Sequence, residues 1–275
     1  MINNITQDIY QRMVSTSDIN EDNMKAFLKG MEEVMRTALE RERASRKPNL
    51  RMSSIGKPDR KIWLEINKPV EQRSLDGQFL IRMLYGSIVE ELLLFLSKEA
   101  GYTITDEQKE VDVNGVKGHI DCKINGYVTD IKSASDFGFR KFQKGFNNDD
   151  DFGYIGQLSG YVEAEGGDTG YFLAMNKSTG ELALLEVDSM EMINSANRID
   201  HLRSVLSDTE TMPEPCSEPT EEKGSGNKVL PRICRYCEYK ESCWPNIRAF
   251  QYSRGTKYLV DVVKQPKVEE IDVKF

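Results

Sequence analysis

The chain has 275 residues, a formal net charge of −8 and a hydrophobic content of 39%. This length supports one large domain or two small ones, and no apolar run is long enough to cross a bilayer. The acidic balance argues against non-specific coating of nucleic acid, although a locally basic cleft remains compatible with it. The first residues, Met1-Ile2-Asn3-Asn4, do not form a signal peptide. We therefore expect a cytoplasmic protein without a membrane segment, whose five cysteines are reduced and serve as metal ligands before disulfides.

Residues 1–50 predict a helical N-terminal segment. Ile5–Val14 and Asn20–Arg43 have helical periodicity. The second stretch ends in a charge run over residues 40–47, which is typical of a solvated helix face.

Residues 51–63 have two interpretations. Arg60 and Lys61 are candidate DNA-binding residues, because they would contact phosphates if this segment lines a cleft. A capped short helix with Trp63 in the core is an equally good interpretation of the same pattern.

The clearest helix is predicted over Phe79–Ala100, closed by Gly101. One apolar stripe recurs every four residues and a second runs beside it, so we expect a helix buried on more than one side. Glu90 or Glu91 would then lie near the interior, and the spacing does not choose between them. A buried carboxylate needs a partner, and a metal ion is one way to supply it. The stripes are Leu80, Leu84, Ile88, Leu92 and Leu96, and Met83, Gly86, Glu90 and Leu94.

A hairpin is predicted over residues 118–133, where Asn125-Gly126 favours a two-residue turn. Because side chains alternate along a strand, Asp130 and Lys132 share a face while Ile131 points into a core. Asp121 on the first strand joins them, and two adjacent carboxylates suit Mg²⁺ or Mn²⁺. The alternative is a surface hairpin whose Asp and Lys pair in solvent.

Aromatic and basic residues are interleaved after the hairpin. Stacked bases and paired phosphates would fit such a surface, which makes Arg140, Lys141 and Lys144 candidate DNA-binding residues. An amphipathic segment with its phenylalanines packed inward is the slightly favoured alternative. The next helix, Phe152 to Ala164, carries Gln157 and Tyr161 on one face.

Four cysteines lie in the C-terminal part. Cys234, Cys237 and Cys243 are clustered, and Cys216 lies in a Pro-, Glu- and Gly-rich loop. Four thiolates suit Zn²⁺ or an iron–sulfur cluster. The C-x₂-C-x₅-C spacing fits paired zinc motifs poorly, so we favour [4Fe–4S], with zinc as the alternative.

The motifs taken together resemble a known family. Gly86-x₃-Glu90, Gly118-x₂-Asp121, Asp130-x-Lys132 and Gln157-x₃-Tyr161 follow the order of the RecB-like branch of the PD-(D/E)xK nucleases. The cysteine pattern is similar to that of its iron–sulfur members, which include the CRISPR-adaptation exonucleases and the AddB nuclease domain. The resemblance implies an α/β fold, namely a three-layer α/β/α sandwich with a mixed central sheet. We expect four regions: residues 1–50, a nuclease core at 51–207, a cysteine segment at 208–250 and a tail at 251–275.

The resemblance also implies an activity, the Mg²⁺- or Mn²⁺-dependent cleavage of DNA by an exonuclease on single strands or duplex ends. Lys132 would be the catalytic lysine, and Gln157 and Tyr161 would shape the active site or hold DNA. The rival function is a DNA-binding module that keeps the fold and no longer cuts. The acidic tail ending in Phe275 is a candidate docking segment for a protein partner. The metal ligands would be Glu90, Asp121, Asp130 and the Ile131 carbonyl.

Two positions depart from the family pattern. Many relatives have histidine where this chain has Glu90, although glutamate also binds metal. Relatives with the cluster often place its first cysteine where Pro58 stands here, and Cys216 would take over that role.

Overall fold

The computed structural model describes residues 2–40, 48–69, 77–146 and 149–272. Within these ranges it has eight α-helices: α1 Ile5–Val14, α2 Glu21–Leu39, α3 Asp59–Asn67, α4 Gly77–Glu99, α5 Asp136–Lys144, α6 Tyr154–Ala164, α7 Ser195–Ser207 and α8 Lys240–Cys243. Its strands are β1 Ile104–Thr105, β2 Glu110–Val113, β3 Val116–His119, β4 Cys122–Ile124, β5 Tyr127–Ala134, β6 Gly170–Asn176, β7 Leu182–Val187, β8 Thr220–Glu221, β9 Lys228–Val229, β10 Arg248–Tyr252, β11 Gly255–Asp261 and β12 Glu270–Ile271.

The chain divides into two compact units, Met1–Lys57 with Gln72–Arg203, and Pro58–Glu71 with Ser204–Phe275. The first unit contains a five-stranded sheet in the order β1-β4-β5-β6-β7 and a separate β2–β3 hairpin. In the five-stranded sheet, β5 and β6 are parallel and the other neighbours are antiparallel. The predicted α/β class with a mixed sheet is therefore confirmed.

The two faces of this sheet are packed differently. Ile131 of β5 and Leu173 of β6 join an aliphatic cluster with Ile5 of α1 and Leu93 of α4. Phe172 directly precedes Leu173 on β6, so its side chain points to the other face of the sheet. There it contacts three rings from α5, from α6 and from the segment between these helices: Phe142, Phe146 and Tyr154. Helices thus contact both faces, and Asp130 and Lys132 point to the aromatic side because side chains alternate along a strand.

Helix α4 is less buried than its sequence predicts. Its buried residues begin at Val89, and Phe79, Ile81, Met83 and Tyr85 in its first half are exposed large hydrophobic side chains. The expectation of a helix buried on more than one side is wrong for this half, because the aliphatic cluster of the sheet contacts α4 only from Val89 onward. No described helix is both long and apolar enough to cross a membrane.

The second unit has its own antiparallel sheet in the order β12-β10-β11-β9-β8. Residues beyond 250 were expected to be a charged tail, but β10 and β11 pair around Gly255 and bury Phe250 and Leu259. The charge run from residue 41, residues 147 and 148 of the polar loop, and Phe275 lie outside the described residues.

Candidate active site

The site is organised by the β4–β5 hairpin. Asn125 and Gly126 have φ values of 49° and 88°, as a tight turn requires, and Cys122 pairs with Thr129. This register places Asp121 opposite Asp130. The Ile131 backbone N–H donates a hydrogen bond of 2.7 Å to Asp121 Oδ2, so the Asp121 side chain is held against the middle of β5.

Asp130 is completely buried. The Lys132 ammonium forms an ion pair with its Oδ2, yet among the described residues no donor makes a hydrogen bond of normal geometry to either carboxylate oxygen. Burial raises the pKa of Asp130, and the Lys132 charge opposes that rise. A buried carboxylate in this condition is costly for the fold, which marks it as a candidate functional group.

The negative charge of Asp130 acts on two further carboxylates, Asp121 and Glu90. Burial raises the pKa of Asp121 well above its usual value, and the negative charges of Asp130 and Glu90 raise it further. Burial also raises the pKa of Glu90, whose Oε1 accepts a 2.6 Å hydrogen bond from Gln108 Nε2. Three carboxylates from α4, from the β3–β4 connection and from β5 therefore share one region.

The structure distinguishes the two glutamates of α4. The pKa of Glu90 is raised in part by Asp130. Glu91 instead lies against Gly30 of α2, and its pKa is raised by burial and by Glu107. Glu90 is therefore the glutamate that faces the carboxylates of the hairpin.

Lys132 carries a stable positive charge. Burial alone would lower its pKa, but Asp130 and Asp121 outweigh burial and raise it. The ammonium also lies 5.2 Å from the centroid of the Tyr154 ring, a cation–π distance. Lys132 is therefore a hydrogen-bond donor and a source of positive charge at neutral pH, not a base.

Gln157 and Tyr161 approach the same carboxylates from α6. Gln157 Nε2 donates a 3.1 Å hydrogen bond to the Tyr161 hydroxyl. Burial, with the charges of Asp130 and Asp121 nearby, raises the pKa of Tyr161 to about 12. The glycine of the Gly118-x₂-Asp121 motif is required here, because a Cβ at Gly118 would lie 2.7 Å from Tyr161 Cε1.

Sequence reasoning missed two residues of this site, Tyr154 and Gln108. Tyr154 precedes Gln157 by three positions and Tyr161 by seven, so helical spacing alone places the three on one face. Gln108 precedes β2 in a turn with a φ of 54°, and nothing in the local sequence indicates its bond to Glu90.

As the side chains stand, no group of three or more His, Cys, Asp or Glu in the described ranges is arranged to hold a metal ion. The chemistry of the carboxylate set still fits a divalent cation. Its oxygens are hard ligands, and the buried oxygens of Asp130 lack hydrogen bonds from the described residues. A cation bound by Asp130, Asp121 and Glu90 would also relieve their mutual repulsion.

The basic and aromatic segment at α5 mainly packs inward. Phe139, Phe142 and Phe146 are buried. Lys141 donates to the Asp149 carbonyl at 2.6 Å and forms an ion pair with its carboxylate at 3.1 Å. The amphipathic interpretation therefore describes this segment better, while the roles of Arg140 and Lys144 in DNA binding remain predictions.

In the second unit, Cys216, Cys234, Cys237 and Cys243 line one small cavity, together with Lys61 and Lys240. All four are free thiols. Burial and the neighbouring thiols raise the pKa of Cys234 to about 11, and burial with Cys243 and Cys237 raises that of Cys216.

The four sulfur donors of this cavity fit the chemistry of zinc or an iron–sulfur cluster. Arg60 and Lys61, the predicted phosphate contacts, lie in the same unit. Arg60 donates to the Pro213 carbonyl, and the Lys61 charge lowers the pKa of Cys237 against the larger effect of burial.

No protein-family model matches the chain. No curated protein matches it either.

Several solved structures match parts of the chain at low similarity. The crystal structure of SSO0001 has a TM-score of 0.41 and 17% identity, over 80% of this chain and 95% of that one. An alkaline exonuclease from Laribacter hongkongensis has a TM-score of 0.37 and 14% identity, over 57% and 89%. A phage-related exonuclease from Haemophilus somnus 129PT has a TM-score of 0.35 and 13% identity, over 59% and 92%. Because these scores and identities are low, the function proposed below depends on the geometry of the chain itself.

Proposed function

We propose that the chain is a Mg²⁺- or Mn²⁺-dependent deoxyribonuclease that acts as an exonuclease on single strands or duplex ends. The observation that supports this most is the buried Asp130, paired with Lys132 and surrounded by Asp121 and Glu90. Folding stability does not favour a completely buried carboxylate beside two half-buried ones, so a catalytic use explains the three better. The motif order resembles the RecB-like nucleases, and with it we propose their three-layer sandwich fold.

The residues that would hold the cation are Glu90, Asp121 and Asp130, with the Ile131 carbonyl. A divalent cation bound there supplies charge that polarises a phosphodiester and stabilises the developing oxyanion. Lys132, which stays protonated, donates a hydrogen bond to the attacking water or to a phosphate oxygen. Gln157 and Tyr161 form the wall of the site on the side of α6 and orient the phosphate.

The proposal is tested with a matched pair of lysines. Lys132 and Lys123 belong to the same hairpin, and their side chains are 18% and 19% exposed. Lys123 pairs with Glu165 rather than with Asp130. We expect Lys132→Ala to abolish cleavage and Lys123→Ala to retain it.

Cleavage is measured as Mn²⁺-dependent release of label from 5′- and 3′-labelled single- and double-stranded DNA, with EDTA as the blank. Wild-type rates in Lys132→Ala and Asp130→Asn would refute the catalytic assignment. Metal-independent binding of DNA by an inactive wild type would instead favour the non-cutting DNA-binding module.

For the cysteine cavity we propose a [4Fe–4S] cluster held by Cys216, Cys234, Cys237 and Cys243, which would brace the 208–250 segment against β10 and β11 by closing its loop. An anaerobic preparation should be brown and absorb near ~400 nm, as thiolate-bound iron does. A colourless sample with one zinc per chain would establish the alternative.

A further inference from the structure

Phe152 is an exposed aromatic residue that sits beside the candidate active site. Its side chain is 61% exposed, and its ring stacks on that of Tyr154 with centroids 5.5 Å apart and planes inclined by 25°. The Tyr154 ring in turn receives the Lys132 ammonium at 5.2 Å. The exposed Phe152 ring thus contacts the Tyr154 ring, and the Tyr154 ring contacts the Lys132 ammonium.

The loop that carries Phe152 is firmly braced. Asp150 caps α6, because its two carboxylate oxygens accept hydrogen bonds from the backbone N–H groups of Tyr154 at 2.9 Å and Ile155 at 2.8 Å. Gly153 adopts a φ of 75° and packs so closely on the backbone of Gly56 that a Cβ would clash there. An exposed apolar ring held at a fixed position is pre-organised for a ligand, since little entropy remains to be lost on binding.

The charges around this ring decide how a nucleotide would lie. Asp149 and Asp151 precede Phe152 in the same loop and repel phosphates, although Lys141 pairs with both. The Lys132 ammonium lies beyond Tyr154 on the inner side. Once a divalent cation offsets the charges of Glu90, Asp121 and Asp130, a phosphate would be attracted to the side of Lys132, while the neutral face of a base is compatible with the outer ring.

We propose that Phe152 is the stacking platform for an unpaired DNA base next to the phosphodiester held at Lys132, which makes single-stranded DNA the preferred substrate. This inference rests on the proposed nuclease function and specifies its substrate class. An unpaired base has a free face, whereas bases inside a duplex are already covered by their neighbours. Stacking of this kind tolerates any base, because every base has a π-face.

Binding of a fluorescein-labelled single-stranded oligothymidylate, with Ca²⁺ in place of Mg²⁺ or Mn²⁺, tests the platform by anisotropy. Loss of one stacked base by alanine substitution corresponds to roughly a 5- to 150-fold rise in Kd. We expect that rise for Phe152→Ala and for Phe152→Leu, which keeps an apolar side chain without a π-face. Phe152→Trp should bind as well as wild type, and none of the changes should weaken binding to a blunt duplex.

Phe79→Ala is the matched control, because Phe79 is also an exposed phenylalanine, 42% exposed. It lies eleven residues before Glu90 on α4, about 16 Å along the helix axis, and its loss should leave Kd unchanged. In Mn²⁺-dependent hydrolysis, Phe152→Ala should raise KM for single strands far more than it lowers kcat.

A strand carrying one abasic position, moved along its length, separates stacking from a structural role. At the position that meets Phe152, wild type should lose affinity and Phe152→Ala should lose none further. If wild type binds and cleaves single strands and Phe152→Ala does so equally well, the platform is refuted while the nuclease stands. If wild type neither binds nor cleaves DNA, the nuclease proposal fails and the platform fails with it.

Discussion

Replacing Asp121 by asparagine should stabilise the metal-free protein. The pKa of Asp121 is raised by burial and by Asp130 and Glu90, so the folded state binds its proton more tightly than the unfolded state does. The stability from such a group is fully present below the unfolded pKa, near 3.9, and is lost as pH rises through the folded pKa. Asparagine resembles the protonated acid, and its amide oxygen can still accept the hydrogen bond from the Ile131 N–H.

The gain can be bounded from general experience with buried charges. Replacing a whole buried ion pair by apolar residues of similar volume often stabilises a protein by ~1–4 kcal/mol, and the asparagine likewise removes a buried charge while Lys132 keeps Asp130 as its ion-pair partner. Because Asp121 keeps one hydrogen bond and is partly compensated by Lys132, we expect the lower half of that range at pH 8. In a domain of this size each kcal/mol corresponds to about 2–4 °C in Tm, so the variant should melt roughly 2–10 °C higher in EDTA.

Thermal unfolding in EDTA between pH 5 and pH 8 measures the change in Tm. Glu99→Gln is the control, because it should change Tm in the opposite direction. The side chain of Glu99 is 4% exposed, and although burial raises its pKa, hydrogen bonds from Asn23 at 2.8 Å and Arg12 at 2.7 Å lower it overall. Its stabilisation is present above the unfolded pKa and is lost as pH falls through the folded one. Glu99→Gln should therefore lower Tm at pH 8.

The Tm difference between Asp121→Asn and wild type should shrink as pH falls toward 5. Added Mn²⁺ should raise the Tm of wild type and leave that of Asp121→Asn nearly unchanged. An Asp121→Asn variant that melts at or below wild type at pH 8 in EDTA, while Glu99→Gln behaves as expected, would refute the electrostatic reasoning.

Four further substitutions test the supports of the two sites. Gly118→Ala should cost about 1–3 kcal/mol by thermal unfolding, because its Cβ would meet packed side chains; Gly86→Ala, which meets nothing within 4 Å, should gain about 0.5–1 kcal/mol as helical glycines do. Asp150→Ala should lose about 0.5–2 kcal/mol with the cap of α6 and weaken single-strand binding through Phe152. Cys216→Ser should reduce bound iron in anaerobic preparations, whereas full iron content would exclude Cys216 as a ligand.

Local signals in the sequence predicted local structure well. Helix α1 was predicted with both of its ends, because its periodicity is set by residues within the helix itself. The β4–β5 hairpin was predicted from Asn125-Gly126, since the positive φ values of the turn depend on those two residues. The alternation of Asp130 and Ile131 followed from the pleat.

What depended on distant parts of the chain was not predictable. The apolar first half of α4 indicated burial, but only the placement of α1 and the sheet determines how far along α4 the core extends. The strands beyond residue 247 were missed because charged residues interrupt their short apolar pattern. These strands form because β10 and β11 pair with each other across the turn at Gly255, and a local pattern does not show that pairing. The spacing of Tyr154 from Gln157 and Tyr161 could have placed it on their helix face, but its contact with Lys132 depends on how α6 packs against β5.

The architecture of the carboxylate site explains why conservative substitutions in it should leave the fold intact. Each acidic group is positioned by backbone that has core contacts of its own: Val89 and Leu93 anchor α4 beside Glu90, and Ile120 and Ile131, both buried, flank the two aspartates. The mutual repulsion of the carboxylates offsets what the Asp121 hydrogen bond and the Asp130–Lys132 ion pair contribute to the fold. Loss of function without loss of stability is therefore the expected signature of this site, whereas a structural ion-pair network would lose both together.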